Sequence, residues 1–196
     1  MPVRIFPAAR WINPFILCFI LLTTACASTP PVVKIGLVAP FEGRDRSLGY
    51  DVIYSARLAV REMNEAGGIE GTYVALVALD DGGDVALAEA TAQSLVLDPA
   101  VVVVLGHWLP ETTAAAAPLY ASADLPLIVP GEPVDPHTLD TVFRQRYEAV
   151  TPFDETPGPY AGPAYTAMQT ILVALAAAQA QDGTITRTTV SRYLPD

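Results

Sequence analysis

The segment Val101–Thr113, VVVVLGHWLPETT, places a titratable His107, an aromatic Trp108, a carboxylate at Glu111 and a hydroxyl at Thr112 close together after an apolar run. Histidine is a general base by type, since its charge changes near neutral pH. No serine, cysteine or metal partner is identifiable for His107, so a nucleophile–base pair is lacking and an enzyme is not expected. Trp108 has two open readings: stacking on a ligand, or packing over helix ends. The run Asp80-Asp81-Gly82-Gly83 invites comparison with the acidic pocket of phospho-receiver domains, but reads better as turn and helix-capping residues. The stretch from Ala39 to Gly49, APFEGRDRSLG, lacks the spacing of a phosphate-cradling loop. With two histidines, His107 and His137, and no spare cysteine, neither a metal site nor a cofactor is expected.

Composition narrows the classes further. A net charge of −10 on 196 residues argues against nucleic acid, which needs clustered Lys and Arg. The two cysteines, Cys18 and Cys26, both lie near the N-terminus and supply no disulfide framework. Residues 1–25 read as an export signal: Arg4 and Arg10 form a basic region, Trp11–Leu22 a short apolar one, and Thr23-Thr24-Ala25 a small-residue exit. The apolar run is too short for a stable membrane span. The hexapeptide LLTTAC, ending at Cys26, resembles the lipobox of bacterial lipoproteins, with Thr23 where leucine is commonest. That resemblance implies lipidation of Cys26, while a plain secretory signal or short anchor stays open. Residues 26–31, containing ASTPP, read as a polar tether.

These residues need elements to hold them. Four apolar, β-branched runs stand out: Val32–Ala39, Tyr73–Leu79, Val101–Leu105 and Leu125–Val129. They are continuous rather than alternating, which suits strands buried on both faces of a parallel sheet. Helical stripes lie between them, over Asp51–Asn64, Asp84–Val96 and Glu111–Ala123. Right-handed crossovers then predict an α/β, Rossmann-like, doubly wound parallel sheet. Beyond it, Pro130–Asp140 reads as an acidic, proline-rich loop. A short helix follows in TVFRQRYEAV, then a break at Thr151–Pro163, and a long helix over Ala164–Gln181. A last helix is predicted to start with Thr186 as N-cap, and Ile185 set against Val190 as a staple.

VKIGLVAPFEG, Gly49, ARLAVREMNEAGGIEG, LDDGGD and VVVVLGHW together resemble the type I periplasmic binding proteins, in the leucine/isoleucine/valine-binding branch of ABC-transporter receptors. The block NEAGGIEG (Asn64–Gly71) with Asp80-Asp81 is the most specific part. The tail, VFRQRY to TPGPYAGPAYTAMQTILVALAAA, is similar to that family's last amino-lobe helices. Members have two lobes that close on an amino acid. Here the chain runs from the fourth strand directly into the tail helices, so the resemblance implies one lobe over residues 32–196. Its βα core would span 32–130 and its returning helices 141–196, with the second lobe missing near Pro133–Asp140. A truncated gene would read identically.

Ligands of such sheets bind beyond the carboxyl ends of the strands at the switch point. The candidate ligand-binding residues are therefore Phe41 in the first loop, His107, Trp108, Glu111 and Thr112 after the third strand, and Gly131 and Glu132 after the fourth. Phe41 either lines the crevice or plugs it. The resemblance implies hydroxyls at a helix N-terminus gripping a ligand carboxylate, as the dipole and free N–H groups favour. This sequence departs there: Pro110 removes an N–H, and Glu111 and Glu132 each bring a competing charge. The expectation is an extracytoplasmic, lipid-anchored solute-binding module, with weakened or altered binding of an amino acid-like solute. An ABC permease and a second copy of the chain are its candidate partners. An interaction or scaffold lipoprotein that has lost solute binding is the alternative.

Overall fold

The apolar runs do become the sheet. A computed structural model describes residues 29–195; the expected signal segment, Cys26 and the first residues of the expected tether lie outside the described residues. Strands β1 (Val32–Ala39), β2 (Tyr73–Asp80), β3 (Val101–Leu105) and β4 (Leu127–Ile128) are all parallel, in the order β2-β1-β3-β4. Every residue of β3 is buried. That burial on both faces is why its sequence carries no polar alternation. Strand order reverses between β1 and β3, which places the topological switch point between their carboxyl ends.

Among the described residues, six helices cover the two faces: α1 (Arg46–Glu65), α2 (Val85–Leu97), α3 (Pro110–Ser122), α4 (Thr141–Glu148), α5 (Ala161–Asp182) and α6 (Arg187–Ser191). One core layer joins Ile35, Leu37 and Leu105 of the sheet to Val52 and Ala56 of α1 and to Met168, Ile171 and Leu175 of α5. Each of those three α5 side chains is fully buried and contributes roughly 1.5–3 kcal/mol. The other layer joins Val38 and Val104 to Leu95 of α2 and to Ala116 and Tyr120 of α3.

Three boundaries differ from the periodicity by more than one residue, each for a physical reason. Helix α1 begins at Arg46 rather than Asp51. Its first turn passes so near the end of β1 that a Cβ on Gly49 would lie 2.2 Å from the Pro40 carbonyl oxygen. Helix α5 begins at Ala161 rather than Ala164, because Pro163 falls in the first turn, where no intrahelical N–H bond is lost. Strand β4 keeps two residues of the expected Leu125–Val129, since Pro126 and Pro130 flank it without N–H groups to extend a ladder. The loop at Pro130–Asp140 holds one 3-10 turn, Pro136–Thr138, with Asp135 accepting from the His137 N–H at 2.9 Å.

The returning chain is tied back by polar contacts. Thr186 caps α6 in a reciprocal box with Thr189. The Arg187 guanidinium donates to the carbonyls of Val96, Asp98, Val101 and Ala123 at 2.9–3.2 Å, closing the amino edge of the sheet.

Candidate functional site

Three loops converge at the carboxyl edge. The one after β1 is held by the one after β2: the Asp80 carboxylate accepts from the N–H groups of Phe41 at 2.7 Å and Gly82 at 2.9 Å. Asp81 accepts from the Gly83 N–H at 3.0 Å through one oxygen. Both are thus turn residues, and the N-cap of α2 is Asp84, which accepts from Leu87. Phe41 is half-buried and packs against the α1/α5 layer.

The second oxygen of Asp81 lies 2.7 Å from His107 Nδ1, and His107 Nε2 lies 3.1 Å from the Tyr120 hydroxyl. Asp81 and His107 are fully sealed from solvent and Tyr120 is 1% exposed. A carboxylate only accepts, so His107 donates from Nδ1, and in the neutral imidazole Nε2 is left to accept from Tyr120. Burial pushes the Tyr120 hydroxyl well above the ordinary tyrosine range, and the Asp81 charge adds to it. The hydroxyl therefore stays protonated and able to donate. Asp81 and Tyr120 stand 26 and 13 positions from His107, separations that left no signal in the sequence.

Gly106 precedes His107 with φ +136°, and a Cβ there would sit 2.3 Å from the Val38 carbonyl oxygen. Only glycine permits that approach. The next two side chains then part: His107 turns toward Tyr120 in the α2/α3 layer, and Trp108 packs with the α1/α5 layer. Trp108 meets Tyr160 edge to face, with centroids 5.9 Å apart and planes at 89°, and its buried indole N–H has no partner among the described residues. Tyr160, at the N-cap of α5, was not singled out from the sequence.

Helix α3 starts beyond Trp108 with Leu109 as N-cap, which supplies no side-chain cap, and Pro110 in the first turn. Glu111 is exposed and has no ion-pair partner among the described residues. Thr112 is fully buried and donates its hydroxyl to the Leu109 carbonyl at 3.1 Å. Thr113 donates to the carbonyls of His107 and Leu109 at 3.0 and 2.9 Å. Gly131 and Glu132 are exposed and line a concavity of about 480 Å³ with Val134, Leu139, Gly162 and Thr166. The candidates thus fall into three environments: Phe41, Trp108 and Glu111 around the switch point, His107 and Thr112 beneath it, and Gly131 and Glu132 beside α5. No group of three or more His, Cys, Asp or Glu that could hold a metal occurs among the described residues.

Residues 32–144, which contain the sheet and all three loops, match the family model for periplasmic binding proteins. The chain belongs to the periplasmic binding protein family. Among curated relatives, an amino acid binding protein of Pseudomonas aeruginosa is 34% identical over 99 residues, half of this chain and 26% of the relative. The leucine-specific-binding protein of Salmonella typhimurium is 30% identical over 99 residues, 50% of this chain and 27% of that protein. A solved structure described as a branched-chain amino acid ABC transporter from Rhodospirillum rubrum aligns with a TM-score of 0.50 and 26% identity, covering 62% of this chain and 32% of that one. The chain therefore spans about a quarter of the curated binding proteins it matches. The shared part of this binding-protein fold carries the switch point with its aromatic and acidic rim.

Proposed function

We propose that residues 32–196 form a single lobe that works as an extracytoplasmic solute-binding module, exported by residues 1–25 and anchored through lipid on Cys26 and the tether 26–31. Its ligand is amino acid-like and held weakly at the carboxyl edge, by Phe41 and Trp108 at the switch point and by the loop carrying Gly131 and Glu132. An ABC permease is the partner that its relatives suggest, and a second copy of the chain would supply a wall to the open site. The observation that carries the altered grip is the start of α3. Pro110 withholds an N–H, the Glu111 carboxylate sits in the first turn, and the hydroxyls of Thr112 and Thr113 already donate to backbone carbonyls. An incoming carboxylate meets a like charge there and finds few free donors.

Thermal unfolding against a panel of amino acids and amino acid amides tests this. A ligand at a hundred times its dissociation constant adds about 2.7 kcal/mol to stability. Glu111→Ser is expected to strengthen binding of free amino acids relative to their amides. No shift with any compound sinks the solute-binding reading and favours an interaction lipoprotein. Labelling with a lipid precursor, lost in Cys26→Ala, tests the anchor separately.

A further inference from the structure

The geometry points to the buried Asp81–His107–Tyr120 chain as a positioning relay that fixes Trp108 at the switch point. It rests on the reading of that edge as the binding face, and it assigns a task to three side chains sealed from solvent. The chain spans three elements: the loop after β2, the loop after β3, and the last turn of α3. Asp81 also holds the Gly83 N–H, so the β2 loop and the β3 loop share one carboxylate. From the other side, the Thr113 hydroxyl donates to the His107 carbonyl. His107 is thereby held at both ring nitrogens and at its backbone oxygen.

Trp108 is the adjoining residue and packs with the opposite core layer, so holding the His107 ring and carbonyl fixes the backbone from which the indole departs. Trp108 packs against the α1/α5 layer and meets Tyr160 edge to face, and its indole N–H has no hydrogen-bond partner among the described residues. No hydrogen bond of its own fixes the indole, whereas the relay beside it is held by directional bonds. An apolar trio of the same shape would be cheaper to bury, since a sealed carboxylate carries a large desolvation cost. What the polar trio adds is direction: each bond has one donor and one acceptor, so only one ring orientation satisfies all of them.

The test uses the full-length chain carrying Trp11→Phe, so that tryptophan emission comes from Trp108 alone. Tyr120→Phe and Asp81→Asn are compared with Leu95→Ala, a truncation in the same core layer that removes no relay atom. The relay variants are expected to red-shift the emission and raise its acrylamide quenching constant about twofold through local loosening, with Leu95→Ala near the parent. Equal quenching in all variants, or an equal rise in Leu95→Ala, overturns the relay. If Asp81→Asn fails to fold, imidazole ¹⁵N shifts of the parent decide: a protonated Nδ1 with a bare Nε2 is expected, and a bare Nδ1 overturns the assignment. If the relay variants loosen Trp108 but no solute alters its emission in the parent, the relay stands and the solute-binding reading falls.

Discussion

Asp51 accepts a hydrogen bond from the Tyr160 N–H at 3.2 Å across 109 residues of chain, while its other oxygen takes the Gly158 N–H at 3.0 Å. This buried carboxylate fastens the start of α5 to α1, and with it the ring of Tyr160 that meets Trp108. Burial raises the Asp51 pKa above its ordinary 3.8, outweighing the two N–H bonds, which lower it. The unfolded chain therefore loses this proton first, and stability declines as pH rises from 3.8 through the folded value. Asp51→Asn removes that dependence. Its destabilisation is expected to be larger below pH 3.8 than at neutrality, as read by denaturant unfolding at each pH.

Asp98 has the opposite sign. The Lys34 ammonium at 2.7 Å, with help from the Ala100 N–H, holds its pKa below the ordinary value. The pair contributes stability above pH 3.8 that is lost as pH falls through the folded value. Lys34→Met is expected to flatten that acid limb and to have a small effect in high salt, where exposed pairs are screened. Unfolding curves at two ionic strengths check both.

Arg187 is the cation the carbonyls at the amino edge depend on. Arg187→Ala leaves the carbonyls of Val96, Asp98, Val101 and Ala123 without this donor. Chemical denaturation is expected to show a loss of about 3 kcal/mol. Lysine should recover little of it, because a point charge cannot reach four oxygens at once as the planar fork does.

Gly106→Ala is expected to destabilise by about 3 kcal/mol or to prevent folding. The new methyl would meet the Val38 carbonyl within β1, and its φ of +136° is closed to other residues. Gly131→Ala serves as the comparison, since a Cβ there meets nothing; its melting temperature should match the parent.

Much of the fold was legible because burial leaves its mark locally. The runs VVKIGLVA and VVVVL are strands with the predicted limits, and the NEAGGIEG block closes α1 with Gly67 and Gly68 at positive φ, as glycine punctuation implies. Boundaries that depend on a distant neighbour were not legible. The early start of α1 brings Gly49 against the Pro40 carbonyl, and nothing in the periodicity reports that approach.

The candidate site divides the same way. Sequence order and strand pattern by themselves determined which loops reach the carboxyl edge, because strand direction in a parallel sheet fixes the end at which each loop emerges. They placed Phe41, Trp108 and Glu111 there. Only the tertiary structure decided what each side chain does at that edge. It turned His107 inward onto Asp81 and Tyr120, committed the hydroxyl of Thr112 to a carbonyl, and drew Gly131 and Glu132 to the start of α5. The reason is physical: a polar group's role depends on which partner satisfies it, and those partners lie on other elements, where one-dimensional spacing carries no information about distance.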